Sequence, residues 1–81
     1  MFTYILQLNN GQYYIGSTNN LKRRIAEHNS GNTKSIKYKL PAKLIFQQEF
    51  STLSEARKSE YVIKKQKSRK YIEEIIKRGY F

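Results

Sequence analysis

Phe2-Thr3-Tyr4-Ile5-Leu6-Gln7-Leu8-Asn9-Asn10-Gly11-Gln12-Tyr13-Tyr14-Ile15-Gly16-Ser17 is two short apolar runs joined by a turn. Phe2, Tyr4, Leu6 and Leu8 alternate with Thr3, Ile5 and Gln7, and the Asn-Asn-Gly that follows supplies turn residues, so the stretch predicts a β-hairpin. Two registers are open. A two-residue Asn10-Gly11 turn pairs Leu8 with Tyr13 and puts Tyr4 and Tyr14 on opposite faces. A three-residue loop, with Gly11 at positive φ as a bulge, pairs Leu8 with Gln12 and brings both tyrosines to one face.

Beyond the hairpin, Ser17 to Asn20 offers cap-type residues, and Leu21 to about Asn29 reads as a helix that Gly31 can end. At roughly 100° per residue, Arg24 and His28 border its apolar stripe while Lys22, Arg23 and Glu27 point away. Gly31 to Pro41 is polar and lysine-rich and predicts a loop with room for one helical turn. Ala42 to Phe50 alternates as a third strand would, with Leu44, Phe46, Gln48 and Phe50 on one side. Thr52-Leu53-Ser54-Glu55 fits a capping box in which the glutamate reaches back for the threonine amide, opening a helix from Leu53 to about Gln66. In that helix Glu60 falls within the inward stripe, where an ionised carboxylate needs a positive partner. A last helix spans about Arg69 to Arg78, with Tyr71, Ile72, Ile75 and Ile76 at helical spacing and Gly79 as its stop. The expected architecture is α+β: a three-stranded, mostly antiparallel sheet, the N-terminal hairpin plus a third strand, flanked by three helices.

The chain has 81 residues, and residues 1–81 are expected to form one domain. Sixteen Lys and Arg against six acids give a net charge of +10, which calls for an anionic partner. All six acids are glutamates and cysteine is absent, which excludes aspartate-based metal clusters, disulfides, thiolate zinc sites and cysteine nucleophiles. Aromatic residues reach 14%, more than a disordered basic chain would carry. No apolar run approaches the roughly 18 residues of a membrane span, and no signal peptide is visible, so a soluble cytoplasmic protein without a membrane partner is expected.

The inward polar groups are Arg24, His28 and Glu60, joined by Tyr4 and Tyr14 in the bulged register. Such a set suits phosphodiester hydrolysis with one divalent ion, Mg²⁺ or Mn²⁺. A lone glutamate can hold Mg²⁺ when waters and a substrate phosphate complete the shell. Arginine presents a fork of donors to phosphate oxygens, and a tyrosine hydroxyl beside a cation can orient water and relay its proton. Each residue also has a plainer reading: Tyr4 and Tyr14 as sheet aromatics, Arg24 as a surface arginine, His28 as a last-turn helix residue, Glu60 as a structural acid paired with Arg24 or a lysine.

Phe2-Thr3-Tyr4, Tyr14-Ile15-Gly16 ten residues after Tyr4, Arg24 ten after Tyr14, His28 four later, and Glu60 together resemble the GIY-YIG nuclease domain, and most of all its small stand-alone bacterial subgroup. The likeness runs from about Phe2 to Ile76. It implies that Tyr4 and Tyr14 are the two motif tyrosines, Arg24 the site arginine and Glu60 the metal ligand. It further implies a metal-assisted in-line attack of water on DNA that leaves 3′-hydroxyl and 5′-phosphate ends. His28 falls where relatives carry histidine or tyrosine. Phe2 and Thr3 replace the glycine and isoleucine of the first half-motif, a departure expected to leave the chemistry untouched. Since both tyrosines must share a site, the resemblance favours the bulged hairpin.

Lys64-Lys65-Gln66-Lys67-Ser68-Arg69-Lys70, with Lys34, Lys37, Tyr38 and Lys39, is the expected phosphate-binding surface; it would hold the backbone without reading bases. The expected function is therefore a DNA endonuclease of little sequence specificity, on branched, nicked or single-stranded DNA, with RNA also open as a substrate. A protein partner or a homodimer would supply targeting. The alternative is a basic nucleic-acid-binding module with weak or no cleavage.

Overall fold

The computed structural model describes all residues from Met1 to Phe81. The strands are β1 (Phe2–Gln7), β2 (Tyr13–Thr18) and β3 (Lys43–Glu49), and the helices are α1 (Leu21–Asn29), α2 (Leu53–Gln66) and α3 (Arg69–Arg78). The sheet is antiparallel throughout, in the order β2-β1-β3, so β2 is an edge strand. The hairpin takes the bulged register: Leu8 N–H donates to the Gln12 carbonyl at 2.8 Å, Gly11 N–H donates to the Leu8 carbonyl at 2.9 Å, and Gly11 has φ of +88°. Leu6 thus faces Tyr14 and Tyr4 faces Gly16 across the ladder. Because side chains alternate along a strand, both tyrosines emerge on the same face.

Each face of the sheet has its own core. Ile5, Ile15 and Phe46 pack with Ile63 of α2 and Ile72 and Ile75 of α3, while Tyr4, Leu6 and Leu8 pack with Ile36, Ala42 and the inner side of α1. Gly31 to Pro41 holds the helical segment for which its loop had room, a six-residue 3-10 helix at Lys34–Lys39 that buries Ile36. It is tied to the hairpin by Asn9 N–H donating to the Lys39 carbonyl at 2.8 Å. The Asn29 amide closes the same layer, accepting from Ala42 N–H at 2.9 Å and donating to the Ala42 carbonyl at 3.2 Å.

Strand β3 departs from the expected alternation. The pairing steps from Ile5 with Phe46 to Leu6 with Leu44, so Ile45 is an extra residue and Leu44 and Phe46 go to opposite cores. The capping box of α2 also differs: Thr52 Oγ1 accepts Glu55 N–H at 3.2 Å, but the Glu55 carboxylate takes the threonine hydroxyl at 3.1 Å instead of its amide. Ser68 and Gly79 bound α3 as N-cap and C-cap, the glycine at φ of +83°. No helix is long and apolar enough to cross a membrane.

Candidate active site at the open edge of strand β2

Tyr4 is the innermost member of the site. Its side chain is 1% exposed, yet its hydroxyl is satisfied, lying 2.8 Å from His28 Nε2. His28 is fully buried in the last turn of α1, and its Nδ1 lies 2.7 Å from Thr33 Oγ1. A Tyr4–His28–Thr33 chain of hydrogen bonds therefore runs from the buried strand out to the partly exposed turn after α1, with both imidazole nitrogens partnered. Tyr14 completes the aromatic group, its ring meeting the His28 ring edge-on at a centroid distance of 5.0 Å. Unlike Tyr4, it is only half-buried and lines an open cleft.

The electrostatics follow from this burial. Burial pushes the Tyr4 phenol above its ordinary pKa, while Arg24 pulls it back and the charges of Tyr14 and Glu60 add to the rise. The neighbouring Tyr4 hydroxyl in turn raises Arg24, more than burial lowers it. The guanidinium hydrogen-bonds Glu27 at 3.4 Å, a half-exposed pair worth little to stability. His28 is pushed below the usual imidazole range by burial first and by Arg24 second, against a smaller opposing pull from Glu27. The imidazole is thus neutral at pH 7 and can accept a proton.

Glu60 approaches from the other face of the sheet. Ser17 Oγ donates to its Oε1 at 2.6 Å, and Lys64 Nζ donates to its Oε2 at 2.6 Å. The buried stripe of α2 centres on Ala56, Ser59 and Ile63, so Glu60 lies at the border of that stripe and not within it. Measuring the stripe from Leu53, itself only partly buried, shifts its apparent centre. The structure thus gathers Tyr4, Tyr14, Arg24 and His28 on one face. Glu60 lies across the edge of β2 from them, bonded to Ser17 and Lys64, and its charge is the smallest contribution to the rise of Tyr4. Its cationic partner is Lys64, not Arg24.

A cleft of about 520 Å³ follows the same edge, between the 3-10 helix and the α2–α3 junction. Tyr14, Lys39, Lys64, Lys67 and Arg69 line it. Lys34, Lys37, Tyr38, Lys65 and Lys70 lie outside it on the exposed surface. Arg69 is already engaged: it donates to the Gly11 carbonyl at 3.0 Å, pairs with Glu73 at 3.3 Å and stacks 4.6 Å from the Tyr13 ring centroid. That brace holds the hairpin turn against α3.

Several contributors escape a sequence reading. Ser17 stands among cap-type residues and gives no sign of its bond to Glu60. Thr33 lies in an aperiodic stretch. Thr3, expected to be chemically idle, is 1% exposed, and its hydroxyl donates to the Ala56 carbonyl at 2.7 Å and lies 2.6 Å from Ser59 Oγ, fastening α2 to β1. Lys64 was readable, because Glu60 and Lys64 are four apart on one helix.

Residues 1–72 match the model of the GIY-YIG catalytic domain. A UPF0213 protein of Streptococcus pneumoniae is 44% identical over 69 residues, covering 82% of this chain and 68% of its own. The UPF0213 protein YazA of Bacillus subtilis is 40% identical over 77 residues, covering 90% of this chain and 78% of its own. Among solved structures, the solution NMR structure of a UPF0213 protein from Bacillus halodurans aligns with a TM-score of 0.60 at 32% identity, over 94% of this chain and 81% of that one.

Proposed function

Since the chain belongs to the GIY-YIG catalytic domain family, we propose that residues 1–81 form one domain acting as a divalent-metal-dependent endonuclease on DNA, with little sequence specificity. The observation that supports this best is the clustering of Tyr4, Tyr14 and His28 beside Arg24, with Glu60 on the opposite side of the same β2 edge.

We take Glu60 as the ion's ligand, since Glu27 is paired with Arg24, and no group of three His, Asp or Glu side chains gathers in the structure. A single carboxylate suits Mg²⁺ or Mn²⁺, which keep several waters and share the substrate phosphate. When bound, such an ion supplies charge neutralisation at the phosphate and acidifies water. The protein's own groups do the rest. Tyr14, at the cleft wall, orients the attacking water. The water oxygen forms a new bond to phosphorus as the bond to the 3′ oxygen breaks, and the departing oxygen takes a proton from solvent water in the open cleft, which leaves 3′-hydroxyl and 5′-phosphate ends. The water's proton passes to the Tyr4 oxygen as the Tyr4 proton moves to His28 Nε2, over the 2.8 Å hydrogen bond already present. In the tautomer this step uses, Nδ1–H donates to Thr33 Oγ1, 2.7 Å away, and leaves Nε2 as the acceptor. Arg24 offsets the charge that grows on the phosphoryl oxygens. Lys39 and Lys67 hold the backbone along the cleft without reading bases.

A second reading, a binding module with weak or no cleavage, is favoured by one observation: Lys64 covers the Glu60 carboxylate. Incubation of nicked, branched, single-stranded and duplex DNA, and of RNA, with Mg²⁺ or Mn²⁺ separates the two. Cutting that needs the metal and disappears in Glu60→Ala supports the nuclease; equal binding by both proteins with no cutting supports the module.

A further inference from the structure

Both oxygens of the Glu60 carboxylate are occupied, and the two partners differ in kind. Ser17 is a neutral donor on the neighbouring strand. Lys64 is a cation one helical turn along α2, its side chain 53% exposed against 20% for Glu60. Lys64 also lines the cleft that we assign to the nucleic-acid backbone. It therefore has two anions within reach: Glu60 when the cleft is open, and a phosphate when a strand lies there. Among the other cleft cations, Arg69 is committed to Gly11, Glu73 and Tyr13, and neither Lys39 nor Lys67 pairs with a carboxylate.

A divalent ion binds a carboxylate oxygen at about 2.0–2.1 Å for Mg²⁺. An ammonium 2.6 Å from that same oxygen places a like charge against it. The two cations compete for Oε2, and the flexible, solvent-exposed lysine is the one that can leave.

We propose that Lys64 is a displaceable counter-ion of Glu60 which couples nucleic-acid binding to loading of the divalent ion. With the cleft open, the ammonium neutralises the carboxylate. A backbone phosphate in the cleft draws the ammonium away, and the bared carboxylate takes the ion beside the phosphate to be cut. Lys64 is thus a positioning residue, and the coupling is reciprocal: the ion tightens nucleic-acid binding by the same factor by which nucleic acid tightens ion binding. This inference rests on the reading of Glu60 as the metal ligand.

The test is Mn²⁺ binding, followed by the electron paramagnetic resonance of free Mn²⁺, with and without cleavage-resistant phosphorothioate DNA, single-stranded and duplex. The native protein is expected to bind Mn²⁺ weakly alone and roughly tenfold more tightly with DNA, a factor within the usual range of two-site coupling. Lys64→Met is expected to bind Mn²⁺ alone about tenfold more tightly than the native protein and to respond to DNA only about twofold. Lys64→Arg, which keeps the charge, should retain the native pattern. If Lys64→Met alone binds Mn²⁺ no better than the native protein while Glu60→Gln abolishes binding, the ligand stands and the lysine's role is overturned. If Glu60→Gln binds Mn²⁺ as the native protein does, the ion sits elsewhere and both the ligand assignment and the coupling fall.

Discussion

Gly16 carries the Tyr4 ring: a Cβ on Gly16 would stand 2.5 Å from the Tyr4 hydroxyl oxygen and 2.6 Å from the ring carbon that bears it. The glycine of the second half-motif is therefore a matter of space between neighbouring strands. It lets a phenol lie flat across β2 and reach His28.

Gly16→Ala should push the Tyr4 hydroxyl off its bond to His28. Overpacking a tight core costs about 1–3 kcal/mol. Cleavage should fall at least as far as in Tyr4→Phe, roughly a hundredfold or more if that phenol handles the proton. Thermal melts and single-turnover rates on the two variants check this; a Gly16→Ala protein with native rates would place Tyr4 outside the reaction.

His28 makes stability depend on pH. Its folded pKa lies below the ordinary value of about 6.5, so the unfolded chain binds the proton more readily. This contribution is fully present above about pH 6.5 and is lost as the pH falls toward the folded pKa, at up to about 1.4 kcal/mol per pH unit. Urea unfolding from pH 8 to pH 5 should show the decline, and His28→Gln should flatten that part of the profile while lowering stability at pH 7.5.

Much of this arrangement is legible in the chain, and what is not has identifiable physical causes. Helix ends at Asn20, Thr52, Ser68 and Gly79 are set by local hydrogen bonds and by backbone freedom, so short-range residue types announce them. The pairing of Tyr4 with Tyr14 on one face depends on a single glycine bulge, which local sequence left open and only the motif tyrosines favoured. The split of Leu44 and Phe46 between two cores comes from a bulge at Ile45 that nothing in the alternation reveals. The contact of Ser17 with Glu60 joins elements far apart in the chain and has no local signature, and that of Thr33 with His28 spans a short aperiodic turn whose path the residue types do not announce.

Lys67 ends α2 in the left-handed region at φ of 48°. A side chain there is strained by about 1–2 kcal/mol relative to glycine. Lys67→Gly should raise unfolding stability by up to about 1 kcal/mol after its larger loss of chain entropy. The same change removes a cleft cation, so DNA affinity should drop and the slope of log affinity against log salt should decrease by about one charge. Denaturant unfolding and salt-titrated fluorescence anisotropy read the two effects separately.

Thr3→Val keeps the shape of a buried β-branched side chain and removes a hydroxyl bonded to both the Ala56 carbonyl and Ser59. Stability should decrease by about 1–3 kcal/mol, with a partner group left short of a bond. The binding of DNA should be unchanged, because neither Thr3 nor Ser59 lines the cleft.

Whether the Glu60 charge is needed for cutting is read from the single-turnover cleavage rate of saturating labelled DNA in Mn²⁺ by Glu60→Gln, set against the native protein. The variant keeps the side-chain shape and the acceptor for Ser17 but loses the charge. With both proteins saturated by DNA, the variant should cleave more slowly by a factor of at least about 10². A native rate in Glu60→Gln would contradict this.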